Sequence, residues 1–166
     1  MPAFLELAPL AGFAGLMLTA AFEDCRRLVI PNTLVVALLV LWPFFFLANP
    51  DWREGLWAIG GAALSFSAGA VLFARGYIGG GDVKLFAAAA LWAGAPNLPT
   101  LLILTALIGG ALALFLLTPL GMQLSALRRS EAAGASGSAA IEAQSIPYGL
   151  AIAAAALIVT LPPHLP

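Results

Sequence analysis

The chain has 166 residues, 62% apolar and 9% charged, with a formal net charge of −1 and a mean hydropathy of +1.02. That composition excludes a water-soluble domain, which would have too little polar residue to cover its surface, and nothing in it suggests nucleic-acid binding. The single cysteine, Cys25, excludes an intramolecular disulfide and a zinc or iron–sulfur site built from four thiolates, so neither metal nor cofactor is expected.

A helix needs roughly 20 mostly apolar residues to cross about 30 Å of hydrocarbon. Six segments approach that length, which predicts an all-α, polytopic membrane protein with six transmembrane helices. The first, about 3–22, carries Glu6 and Pro9 near its start and no basic stretch before it, so it reads as retained rather than as a cleaved signal peptide. The second, about 33–48, follows the helix-breaking pair Ile30-Pro31. The third, about 55–74, is clean. The fourth, about 83–95, is the shortest, set between glycines and "GAPNLP", and spans only with local thinning of the bilayer. The fifth, about 98–120, is fully apolar. After it, "QLSALRRSEAAGASGSAAIEAQS" predicts a flexible cytoplasmic loop over about 121–145, opening with an interfacial helix around 120–129. The sixth, about 146–161, ends in "LPPHLP". The sequence reads as one integral-membrane domain, 1–166, without internal repeats.

Short cytoplasmic loops carry an excess of Lys and Arg. With six spans, Arg26, Arg27, Arg75, Lys84, Arg128 and Arg129 fall on one side and Arg53 alone on the other. Both termini are therefore expected outside the cytoplasm. The same topology places Asp24, closing the first span, and Asp82, opening the fourth, on the cytoplasmic side at similar depth.

Each aspartate has a plain structural reading: Asp82 as a helix cap or dipole partner, and Asp24 as a juxtamembrane charge beside Arg26 and Arg27. As a pair they read differently. Two carboxylates at hydrogen-bonding distance share one proton, the arrangement of aspartic proteases, in which the ionised member activates a water and the protonated member donates to the carbonyl oxygen. Gly79, Gly80 and Gly81 permit positive φ and a close approach of substrate backbone to Asp82. Lys84 either biases the pair electrostatically or snorkels toward headgroups.

"GGGDVKLF", with a GxGD pattern at Gly79 to Asp82, resembles the second active-site motif of type IV prepilin peptidases, membrane aspartic proteases that trim prepilin leader peptides. "DCRRLVIPN", from Asp24 to Asn32, resembles their first motif. "IPYGLAIAAAAL", from Ile146, is similar to the Pro-aromatic-Gly opening of their last span. The resemblance implies that Asp24 and Asp82 are the catalytic pair, with Gly79, Gly81, Lys84, Pro31 and Asn32 shaping the site or binding substrate. It also implies a prepilin substrate, a bacterial inner-membrane location and a hydrolase without cofactors. Larger members carry an N-terminal cytoplasmic region with paired cysteines, which this protein is expected to lack. The short form is similar to the peptidases of tight-adherence (Flp) pili, for which leader cleavage is the expectation. The competing readings are a proton-coupled transporter or channel component with intramembrane carboxylates, a presenilin-like intramembrane protease and a noncatalytic assembly subunit.

Overall fold

The structure is a computed structural model describing residues 4–48, 50–123 and 147–161. Among these residues every regular element is helical: α1 Phe4–Arg27, α2 Asn32–Ala48, α3 Trp52–Ala74, α4 Gly80–Ala93, a one-turn 3₁₀ helix Ala95–Asn97, α5 Leu98–Leu116 and α6 Tyr148–Thr160.

Local chemistry sets the element ends. α1 runs past its apolar stretch to Arg27, so Glu23 and Asp24 lie within the helix and not after it. The Glu23–Arg27 ion pair of 3.4 Å and the cations of the last turn favour that extension, since they sit at the negative end of the helix dipole. Leu28 then takes a left-handed φ of 54°, and Pro31 prevents the helix from resuming before Asn32. α3 starts on Asp51, whose carboxylate accepts the Arg53 and Glu54 N–H groups at 2.8 and 3.2 Å. It stops at Gly76, with φ 75°, where Gly76 N–H donates to the Phe73 carbonyl and Tyr77 N–H to that of Leu72. The fifth expected span is cut short: α5 ends at Leu116, and the chain turns at Thr118 because Pro119 follows. Residues 119–123 are helical, and the rest of the loop expected over 121–145 lies outside the described residues.

α4 and α6, the shortest of α1 to α6, form the centre. α4 buries Leu85 and Ala88–Ala90, and α6 buries Ala151, Ala153, Ala155 and Ala156. α4 packs on α6, α2 and α3, while α6 also packs on α1 and α5. Runs of alanine let these backbones approach closely, which is how helices associate where lipid removes the hydrophobic drive. At one end Trp92 of α4 lies between Phe13 of α1, ring centroids 4.6 Å apart, and Phe45 of α2, 5.3 Å away, while its indole N–H donates to the Leu38 carbonyl at 3.0 Å.

The outer helices turn large apolar side chains outward, among them Val40, Phe44, Leu56, Trp57, Leu64, Leu107 and Leu114. Such a surface is unfavourable in water and ordinary in lipid. Among the described residues three helices are long and apolar enough to cross a membrane: Leu7–Arg27, Trp52–Ala74 and Ala95–Leu116. The other expected spans are shorter, with 17 residues in α2, 14 in α4 and 13 in α6.

Candidate active site

Asp24 lies in the last turn of α1 and is only 5% exposed. Its Oδ2 accepts the Leu150 N–H at 3.3 Å. Leu150 sits in the first turn of α6, where backbone N–H groups have no partner within the helix, so α6 points its positive end at this carboxylate. The fit requires glycine at 149: a Cβ there would lie 2.8 Å from Asp24 Cγ and 2.9 Å from Ile30 Cδ1.

Asp82 stands in the first turn of α4, ahead of the apolar run that begins at Val83. Its carboxylate folds back over Gly79, where a Cβ would lie 3.0 Å from Oδ2. Asp24 and Asp82 both line one cavity of about 990 Å³, together with Ile30, Asn32, Gly79, Gly80, Gly81, Lys84 and Tyr148. Burial first, and the nearby Asp24 carboxylate second, together push the Asp82 carboxyl up to about 6. The Asp24 carboxylate is therefore near enough to oppose ionisation of Asp82.

The helices that carry them meet indirectly. α2 and α6 bridge α1 and α4, which come together mainly through side chains, as in the Phe13–Trp92 stack. Ile30 ties the two halves of the site, because it presses on both Gly149 and Gly81, where a Cβ would come within 3.3 Å of Ile30 Cβ. Lys84 adds a second tie: its Nζ donates to Asn32 Oδ1 at 3.0 Å, joining the start of α4 to the start of α2. Pro31 does not line the cavity; its carbonyl accepts the Leu34 N–H and opens α2.

The glycines depart from expectation. None of Gly79, Gly80 and Gly81 has positive φ; those values belong to Gly76 and Gly94. Gly80 and Gly81 are helical, and the space a side chain would take is filled by Phe73 and Ile30, so these two serve close packing. Sequence reading also missed Ile30, Gly149 and the Leu150 N–H as parts of the site. The Pro-aromatic-Gly signature marked the start of α6, but only the fold shows it beside Asp24. Among the described residues no three His, Cys, Asp or Glu side chains are grouped to hold a metal ion.

An all-helical membrane bundle with two opposed carboxylates in one cavity defines a class of candidate acid–base hydrolase, and comparison gives the family. The model of the type IV leader peptidase family matches residues 11–114, more than half of the sequence, and the chain belongs to that family. It is 35% identical over 109 residues to the prepilin leader peptidase/N-methyltransferase of Bacillus subtilis (strain 168), across 63% of this chain. The chain spans 43% of the length of that relative. No solved structure matches.

Proposed function

We propose that this protein is a membrane-embedded aspartic endopeptidase of the bacterial inner membrane that removes the leader peptide of type IV, Flp-like prepilins at the cytoplasmic face. The observation that carries the reading is the shared cavity of Asp24 and Asp82, in which the charge of one raises the pKa of the other. With one proton between them, the ionised carboxylate takes a proton from water, which attacks the peptide carbonyl. The protonated carboxyl donates to the developing oxyanion, and a proton passed back to the nitrogen releases the amine. Asp82, with its raised pKa, suits the acid, which leaves Asp24, positioned by the Leu150 N–H at the start of α6, for the base.

A six-span arrangement with both termini outside accompanies this reading. Arg26, Arg27, Arg75 and Lys84 share the end of the bundle that bears both aspartates, whereas Arg53 lies at the opposite end of α3. The scissile bond of a protein whose polar leader stays inside would reach that depth. A proton-transport role is less well supported: among the described residues Glu6, Glu23, Asp24, Asp51, Glu54 and Asp82 all sit at helix ends, so none forms a relay through the middle.

The test is co-expression with the prepilin encoded nearest in the genome. Asp24→Asn and Asp82→Asn should each abolish leader removal while the protein still accumulates in the membrane. Retained processing by either variant would remove that residue from the catalytic pair.

A further inference from the structure

The cavity extends well beyond the two carboxylates. From Asp82 it continues between α3 and α5, walled by Leu64, Ala68 and Leu72 on one side and by Leu98, Leu102 and Ala106 on the other. Each set recurs at four-residue steps, so each is a single stripe of its helix turned toward the gap. α3 packs on α4 and on the 3₁₀ turn, and α5 on α6; α3 and α5 do not pack along each other. The gap between them is floored by Val83, Phe86 and Ile152, and it is open at the side.

Its shape suits a helical occupant. The stripe on each wall covers eight residues of rise, roughly 12 Å, the length of about two helical turns. The whole cavity, with the aspartate end included, holds about 990 Å³. Small side chains at Ala68 and Ala106 allow a third backbone to come close, and Leu64 and Leu102 are 67% and 56% exposed at the lip. The lip is continuous with the apolar outer surfaces of α3 and α5, so an entrant arriving sideways meets mainly apolar side chains, with Ser65 and Thr105 the polar residues on the two walls. One end of the gap is the glycine segment beside Asp82.

We propose that the gap between α3 and α5 is the docking site for about two turns of an apolar substrate helix, which enters sideways from the bilayer and delivers its adjoining polar segment to Asp24 and Asp82. The inference rests on the peptidase reading and adds the route and the binding surface. A hydrophobic helix next to the cleaved bond is then a requirement for cleavage of the membrane-inserted substrate, and its first two turns carry the recognition.

The test is site-specific photo-crosslinking in the Asp82→Asn protein co-expressed with a type IV prepilin. A photoreactive residue at Leu64 or Leu102 should capture the prepilin's apolar segment within two turns of the cleavage site. The same residue at Leu39 or Val40, exposed on α2 away from the gap, should give at most a tenth of that yield. Equal yields at the four positions, capture only from α2, or capture of a second copy of this chain would overturn the proposal. In the otherwise native protein, Ala68→Phe with Ala106→Phe should lower processing at least tenfold, and full processing would overturn it independently. If the aspartate variants block processing while the gap captures nothing, this inference fails and the peptidase reading stands. If they fail to block it, the peptidase reading fails whatever the crosslinks show.

Discussion

Asp82 carries two opposed physical readings, and they predict stability changes of opposite sign. As a dipole partner in the first turn of α4, its charge would stabilise the fold, and Asp82→Asn would cost roughly 0.5 kcal/mol. As half of a coupled pair its charge is a burden. Its pKa rises from 3.8 unfolded to about 6 folded, so the folded state binds its proton more tightly. Stability contributed this way is present below pH 3.8 and is lost as pH rises through 6. At pH 7, Asp82→Asn should therefore raise the thermal midpoint of the detergent-solubilised protein by the equivalent of about 1 kcal/mol, allowing for solvent screening. The advantage should vanish near pH 4. A lower midpoint at pH 7 would support the dipole reading.

Lys84 is resolved at the same scale. The sequence showed a cation two residues after Asp82 and offered electrostatic bias, snorkelling or, from the family resemblance, a role in shaping the site or binding substrate. Its bond to Asn32 crosses 52 positions, a contact that no local pattern reveals. If that bond is what matters, Lys84→Met and Asn32→Leu should each slow processing about tenfold, and the double variant should be no slower than either single one. Additive losses would show that Lys84 acts apart from Asn32.

At the scale of elements, the start of α6 is the least tolerant part of the site. Gly149→Ala would bring a methyl group within 2.8 Å of Asp24 and 2.9 Å of Ile30. Neither neighbour can yield easily, since Asp24 is held by the Leu150 N–H and Ile30 is wedged against Gly81. The expected cost is about 1–3 kcal/mol, with a displaced carboxylate and processing reduced tenfold or more. Gly60→Ala on α3, with nothing within 4 Å of the added carbon, should leave both stability and processing intact. Equal tolerance at the two positions would mean that α6 does not press on Asp24.

That contrast also marks what could be read in advance. Helix identity was legible because apolar runs, Pro31 and the glycine stops are local signals. The two aspartates were legible because each sits in a short motif at a helix end. Helix length was less so: α1 gained a turn from Glu23 and Arg27, and the fifth span lost residues to Pro119. The wedge of Ile30 between Gly81 and Gly149 was hidden, because it depends on how three helices cross and not on any one of them.

At the scale of the whole molecule, a bundle with a 14-residue and a 13-residue helix at its centre has to fit a membrane. At 1.5 Å per residue these reach only about 20 Å, against about 30 Å of hydrocarbon. The arrangement is workable because α4 and α6 are enclosed by longer helices, so their ends meet protein and the site cavity in place of lipid. In the proposed six-span arrangement α4 carries the chain from the cytoplasmic to the outer side. In a Cys25→Ser background, Tyr77→Cys should be labelled by a membrane-impermeant maleimide only in inside-out vesicles, and Asn97→Cys only in right-side-out vesicles or intact spheroplasts. Both side chains are exposed. Labelling of the two positions from one side would mean that α4 dips into the bilayer and returns. It would reduce the span count and move Arg128 and Arg129 to the outer face. Opposite labelling, with Tyr77 inside, would place Asp24 and Asp82 where a cytoplasmic leader could reach them.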